Sequence, residues 1–282
     1  MSVRLIFKSV WQNPGNYRQR LSRLGRAASW QVEKRLWAKP KTVRLSNGAR
    51  FIAHPDCVVS SALIYADWPE FRELQFIRRL LQPQDAVIDV GANVGHISLL
   101  LSDLVGPENI FAFEPTPISF QRLCENWRAN NWSAKNLFQA AVGREAGVVR
   151  IPDTSSPETK NSLVAANGEI GTVEVPLVSL DECRAHWSGR KIGLLKIDVE
   201  GYEAEVIDGA DKMLRLERPR LIMFESLGGR VDDEIRERFA NTGYAIFQLD
   251  KAGHADLTRA SAQNLFAVPN EHKAALVRCV GS

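Results

Sequence analysis

The chain has 282 residues, enough for one large α/β domain and an appendage. Hydrophobic residues make up 45% and charged residues 24%, a globular balance, and no apolar run approaches the roughly 20 residues a membrane-spanning helix needs. The net charge of +3 hides an asymmetry: residues 1–50 hold twelve Lys and Arg against one acid, Glu33, and so carry +11, while the remainder carries −8.

Cys57, Cys124, Cys183 and Cys279 are scattered and form no CxxC pair, and no HExxH occurs. This argues against a zinc knuckle or a disulfide framework and fits a reducing compartment. The start, MSVRLIFKSVWQNP, has no long apolar core and no small-residue cleavage site, so a cytoplasmic protein without a signal peptide is expected. The basic segment has two readings. It docks on the body or on a second subunit, or it meets an anionic surface such as the inner face of a membrane.

In chain order, Tyr17, Leu21, Leu24, Ala28, Val32 and Leu36 recur at helical steps and predict one stripe of an amphipathic helix, expected to pack on the main domain, with a membrane-surface helix as the alternative. Trp30 and Trp37 lie off it. Thr42–Leu45 and Arg50–Ala53 flank an Asn-Gly turn and read as a hairpin. Residues 58–66 read as a strand, and Pro69–Leu81 as a helix with Pro at its start. The expected division is a basic extension over 1–68 and a catalytic domain over 69–282.

From residue 85 short apolar runs alternate with helical stretches. Strands are expected at Ala86–Val90, Ile110–Phe113, Leu137–Val142, Gly193–Ile197, Arg220–Phe224, Tyr244–Leu249 and Asn264–Val268, with helices at Val94–Leu104, Ser119–Asn130, Glu203–Leu214 and Asp232–Ala240. Val148–Ile151 and Thr172–Val178 read as a hairpin-like pair around a polar loop over 152–171. Near-continuous apolar strands separated by helices indicate a Rossmann-like, doubly wound α/β fold, with a mostly parallel seven-stranded sheet covered on both faces.

Three strand ends carry chemistry. After the first strand stands VIDVGANVGHI, with Asp89, Gly91, Asn93 and Gly95. The spacing fits neither the dinucleotide Gly-x-Gly-x-x-Gly pattern nor a P-loop. An acid before the turn is a poor neighbour for pyrophosphate but suits a cationic ligand such as S-adenosylmethionine; a mere tight turn stays open. Glu114 ends the second strand, nineteen positions after Gly95, where an acid is placed to accept ribose hydroxyls. The third end reads Lys-x-Asp-x-Glu-Gly-x-Glu over Lys196, Asp198, Glu200 and Glu203. Four charged side chains around one glycine turn look like a site, although Glu203 reads equally well as a helix-start acid.

Together, Asp89–Gly95, Phe113-Glu114-Pro115, the Asn126…Asn130 helix, Ala140–Gly143, Lys196–Glu203 (KIDVEGYE), Gly209-Ala210 and Met223-Phe224-Glu225 resemble the FkbM family of S-adenosylmethionine-dependent methyltransferases over roughly residues 70–268. Trp11-Gln12-Asn13-Pro14 and the helix ending Arg35-Leu36-Trp37 resemble bacterial members with an N-terminal extension. The resemblance implies a core that methylates a hydroxyl of a sugar or other small molecule. It implies that Asp89, Gly91, Asn93 and Gly95 line the methionine part of the cofactor and that Glu114, with Pro115, meets the ribose. Adenine would lie near Gln139–Val142, including Ala141, where this chain has no acid for the adenine amino group. The Lys196–Glu200 turn would face the methyl group and the acceptor. His96 follows the last glycine, where the family often has an aromatic, and is given no chemistry.

Methyl transfer to a hydroxyl needs in-line positioning and a base. Asp198 and Glu200 are the candidates, with Glu225 a third; Asp198 also touches the cofactor site. Lys196 would orient a carboxylate or stabilise oxyanion charge. Asp198 and Glu200 would also suit a divalent metal, but no further ligand cluster accompanies them, so direct base catalysis is expected. The rivals are a nucleic-acid methyltransferase guided by the basic arm and a non-catalytic cofactor-binding scaffold for glycan assembly. The arm carries no recognisable nucleic-acid motif, and the intact acids argue against a degenerate site.

Overall fold

The computed structural model describes residues 3–66, 68–153, 171–226, 229 and 231–274. Most of the polar loop expected over 152–171 lies outside them.

The chain opens with helix α1 (Val3–Gln12), a short turn over Pro14–Asn16, and helix α2 (Arg20–Leu36). Strands β1 (Lys41–Arg44) and β2 (Arg50–Ala53) form the expected hairpin, closed by Leu45 N donating to Ala49 O at 2.8 Å. Gly48 takes φ +89°, the left-handed conformation that the Asn-Gly pair permits.

Residues 58–66 are not a strand but helix α3 (Val58–Ala66). A continuous apolar run of nine cannot by itself separate a buried strand from a buried helix. Here Ser60 and Ser61 are buried and both are satisfied: Ser60 Oγ accepts from His54 N (3.0 Å) and Ser61 Oγ from Trp30 Nε1 (3.1 Å). Buried Asn16 ties the end of α1 to the end of α3, donating to Val10 O and Tyr65 O at 3.0 and 2.9 Å.

Helix α2 forms where its periodicity predicts, but the opposite face is buried. Arg23, Ala27 and Trp30 pack inward, while Tyr17, Leu21, Ala28, Val32 and Leu36 of the expected stripe are exposed and only Leu24 packs against the core. The indole decides the face, because one tryptophan brings more apolar area than any stripe residue and its N–H finds Ser61. Helix α4 (Phe71–Leu80) follows and buries Leu74, Phe76 and Ile77.

The main body alternates β3 (Ala86–Val90), α5 (His96–Val105), β4 (Ile110–Phe113), α6 (Pro117–Ala129) and β5 (Leu137–Phe138). After β6 (Ala141–Val142), β7 (Gly147–Pro152), β8 (Thr172–Val178) and α7 (Leu180–Cys183), it resumes with β9 (Ile192–Ile197), α8 (Glu203–Asp208), β10 (Leu221–Glu225) and α9 (Asp233–Asn241). Strands β11 (Tyr244–Leu249), β12 (Ala255–Asp256) and β13 (Asn264–Pro269) end it.

The main sheet has the order β5-β4-β3-β9-β10-β13-β11-β12. From β5 to β10 every neighbour is parallel, and β13 runs antiparallel to both β10 and β11. This is the expected Rossmann-like α/β fold. The eighth strand is a two-residue edge, β12, too short to show a sequence pattern. Side chains alternate between two cores: Val87, Leu194 and Leu221 point to one, and Ile88, Leu195 and Ile222 to the other. The first core also contains Ile6, Val10, Trp30, Phe51 and Leu63, so the N-terminal elements complete one face of the sheet.

Two expected elements are broken. The run Leu137–Val142 splits between sheets: β5 pairs with β4, whereas β6 joins β8 and β7 in a separate three-stranded sheet. The helix expected over Glu203–Leu214 ends at Asp208, followed by a wider turn over Met213–Glu217. Gly209 marks the break, lying so close to the Gly143 carbonyl that a Cβ would sit 1.9 Å from its oxygen. Asp181 then takes up the freed amides of Lys212 (2.8 Å) and Met213 (2.9 Å). Among the described residues, no helix is long and apolar enough to cross a membrane.

Candidate functional site

The sheet order reverses between β3 and β9, which opens a crevice at the carboxyl ends of the strands. The glycine turn lies there. Gly91 N and Ala92 N both donate to Phe113 O at 2.9 Å, folding the turn against the end of β4. Gly91 has φ +73°, and a Cβ on it would stand 1.8 Å from the Asp198 carbonyl oxygen, so no side chain is admitted. Asn93 takes φ +52° and Gly95 φ +82°, and α5 begins at the next residue.

Asn126 and Asn130 serve this turn indirectly. Asn126 donates to Val94 O (2.8 Å) and accepts from Ile52 N (2.7 Å). Asn130 both donates to Arg50 O and accepts from Arg50 N, each at 2.7 Å. Two helix amides therefore fasten the N-terminal hairpin to the body, and one of them also holds the glycine turn.

Beneath the turn lies an ion network buried at one end and open at the other. Asp89 is 0% exposed and Lys196 2%. The Lys196 ammonium sits 3.1 Å from Asp89 Oδ1 and 3.3 Å from Asp198 Oδ2, and donates to Gly91 O at 2.8 Å. Asp89 Oδ2 accepts from Ser98 Oγ at 2.7 Å. Burial works against the ammonium, but Asp89 and Asp198 outweigh it and raise the Lys196 pKa above the usual lysine value. Asp89, expected to line the cofactor, is enclosed between Lys196 and Ser98. Lys196 itself binds β3, β9 and the turn together.

Glu114 is buried at the end of β4. Its Oε2 accepts from Asn93 N at 2.8 Å and its Oε1 from Thr116 N at 2.9 Å. Burial pushes its carboxyl up, and the amides of Thr116 and Asn93 with the charge of Lys196 only partly oppose this. Half-buried Pro115 follows, and Pro117 starts α6. Glu114 N donates to Phe138 O at 3.0 Å; the Phe138 ring stacks on Phe113 at 4.7 Å and lies 4.7 Å from the His186 ring. Ala141 stands half-buried on the small sheet just beyond.

At the ends of β9 and β10 the acids are open. The Asp198 side chain is 43% exposed. Glu200 is exposed and holds φ +56°, a left-handed conformation that costs a non-glycine residue about 1 kcal/mol or more. Glu225 accepts from Gln263 Nε2 at 2.9 Å. That bond holds its carboxyl down, but burial and the charges of Asp198 and Glu200 prevail and raise it. Glu203 turns away: buried, it accepts from Val199 N (3.2 Å) and Gly201 N (3.3 Å), closing the turn from within. A cavity of about 280 Å³ borders Gly201, Glu203, Glu225 and Ser226. Among the described residues, no three His, Cys, Asp or Glu side chains are arranged to hold a metal ion.

Glu70 carried no signal in the sequence beyond its place at a helix start. Its Oε2 approaches the buried His96 Nε2 at 3.5 Å. Burial pushes the Glu70 carboxyl up, yet His96 and, farther off, Lys196 outweigh it and hold it below the usual glutamate value. Glu70 also borders a groove of about 480 Å³, with Lys8, Gln12, Asn13, Tyr65 and Arg72. Only the packing of the tertiary structure brings Glu70 to His96, the residue after the glycine turn.

A parallel sheet with a glycine turn, a buried acid and a cluster of open carboxylates at its switch point defines a Rossmann-type α/β enzyme architecture. The sequence model of the methyltransferase FkbM domain matches residues 89–246, more than half of the chain. The chain belongs to this family and is a methyltransferase. It is 29% identical over 273 residues to the 31-O-demethyl-FK506 methyltransferase FkbM of Streptomyces tacrolimicus, covering 86% of this chain and 98% of that protein. It is 31% identical over 146 residues to the hexuronic acid methyltransferase AglP of Haloferax volcanii, covering 51% of this chain and 58% of that protein. Among solved structures, the FkbM methyltransferase from Methylobacillus flagellatus aligns over 88% of this chain and 60% of its own, with 13% identity and a TM-score of 0.43.

Proposed function

We propose that the protein transfers a methyl group from S-adenosylmethionine to a hydroxyl of a small molecule or glycan. One observation carries this reading: three carboxylates, Asp198, Glu200 and Glu225, lie beside a glycine turn that admits no side chain, and burial together with the neighbouring Asp198 and Glu200 raises Glu225 against its bond from Gln263. A raised carboxyl beside other carboxyl groups is the arrangement a general base needs near neutral pH. The relatives agree in kind, since one is named for a 31-O position and another for a hexuronic acid.

The residues present suit the cofactor. Gly91, Asn93 and Gly95 let the backbone approach the methionine part. Glu114 is fixed by two amides and keeps lone pairs for the ribose hydroxyls. Pro115, Phe138 and Ala141 form the neighbourhood for adenine. When bound, the cofactor supplies an already activated methyl group. The chain then has to hold two reactants in line and accept one proton. Asp198 stands at the border of the two sites and orients the acceptor, while Glu225 takes the hydroxyl proton. Glu200, in its strained conformation, presents a second carboxylate to the acceptor. Lys196 acts by holding Asp198 in place.

The acceptor enters over the groove beside Glu70 and His96. In this reading residues 1–68 are an extension that builds one wall of the acceptor side, and 69–282 form the catalytic domain. Calorimetric titration with S-adenosylhomocysteine, with NADH as control, tests the cofactor. Selective saturable binding is expected. Binding of neither ligand would favour a non-catalytic scaffold. A screen of sugar and lipid-linked glycan acceptors tests the hydroxyl.

A further inference from the structure

The apolar stripe of α2 faces solvent. Leu21 is 80% exposed and Leu36 66%, and Val32 lies between them on the same side. Leu21 and Leu36 are fifteen residues apart, about 22 Å along a helix. Beside the start of the stripe, Phe7 and Trp11 of α1 stack at 5.1 Å, and the Arg20 guanidinium lies over Trp11 (4.9 Å) and Tyr17 (5.1 Å). Among the described residues, seven of the eleven exposed large apolar side chains fall between Phe7 and Trp37. That is a patch, not the ordinary scatter of surface apolar residues.

The same segment is the basic one. Arg4, Lys8, Arg18, Arg35 and Lys39 stand exposed, and residues 1–50 contain only Glu33 as an acid, which pairs with Lys41 at 2.9 Å. We infer that α1 and α2 dock this protein on an anionic lipid surface. A bilayer interface takes both halves of the feature in one contact, since aliphatic and aromatic side chains enter the headgroup boundary while cations meet anionic lipid. A second copy is disfavoured because pairing these faces would oppose two segments that each hold eight Lys and Arg against one acid over residues 3–36. Nucleic acid would satisfy the cations but leave the 22 Å aliphatic stripe, about four helical turns, in water. Helix α1 also contributes Lys8, Ser9 and Gln12 to the groove beside Glu70, so a docked bilayer lies one helix away from it. The inference does not depend on which acceptor is methylated.

Flotation of the full chain with vesicles tests it. The wild type is expected to float with mixed phosphatidylcholine–phosphatidylglycerol vesicles, weakly with pure phosphatidylcholine, and less at high salt. The double variant Leu21→Glu, Leu36→Glu should lower partitioning at least about tenfold. Its melting temperature and its affinity for S-adenosylhomocysteine should be unchanged, because both positions lie in solvent. Absence of binding to the anionic vesicles at low salt would overturn the inference, as would binding that the double variant leaves intact. A concentration-dependent dimer in light scattering that the same variant dissolves would assign the face to a second copy instead.

Discussion

Asp89 and Asp198 end neighbouring strands, and both lie beside the same ammonium, that of Lys196, at 3.1 and 3.3 Å. They differ in exposure. Asp89 is sealed under the glycine turn and bonded to Ser98, whereas Asp198 opens to the crevice and faces Glu225. A buried charge held by a buried ammonium and a serine hydroxyl is structure, because removing the ammonium leaves an uncompensated ion. An open charge beside other acids is available to a reacting group. The comparison teaches that residue type and strand position do not separate the two roles; solvent access does.

The largest expected effect comes from taking away their shared partner. Lys196→Met leaves Asp89 buried and unpaired and should cost about 3–5 kcal/mol in urea denaturation. A loss under about 1 kcal/mol would mean that the network does not hold β3 to β9. The raised Lys196 pKa gives a sign as well. Its contribution is fully present below the ordinary lysine value and is lost as pH rises through the higher folded-state value, so the destabilisation appears on the alkaline side.

Asp198→Asn should do the reverse, lowering turnover about 10²-fold through lost orientation of the acceptor while changing stability and cofactor affinity less. A fully active variant would remove Asp198 from the mechanism. Glu225 sharpens this half of the comparison. A base works ionised, and its carboxyl is raised, so activity should fall with falling pH at values above the ordinary glutamate range. Glu225→Gln should remove that acid limb along with most of the rate; a limb that persists would pass the role to Asp198 or Glu200.

Glu114 is intermediate, buried like Asp89 yet bordering the crevice. Glu114→Ala should weaken S-adenosylhomocysteine binding by about 1.5–3 kcal/mol, the worth of hydrogen bonds to a charged group, with the fold retained. Unchanged affinity would refute the ribose assignment. The smallest effect is expected on α2, where Leu21→Ser should alter stability by no more than about 0.5 kcal/mol, against about 3–5 kcal/mol for Trp30→Ala. Equal costs would contradict the face this helix buries.

The sequence by itself determined the alternation of strands and helices, the Asn-Gly hairpin, the glycine turn and the acids at three strand ends. These are local signals, carried by side-chain period and by backbone conformations that few residues adopt. It pointed to the wrong face of α2, because the stripe shows in the local period whereas the Trp30–Ser61 bond that turns the helix spans 31 residues. It could not distinguish strand from helix for Val58–Ala66, since a run apolar almost throughout shows no period. Only the tertiary structure sealed Asp89 and Lys196 together, turned Glu203 inward to its own loop and carried Glu70 to His96. Burial and long-range pairing set whether a charge stabilises or reacts, and both exist only once the chain has closed around it.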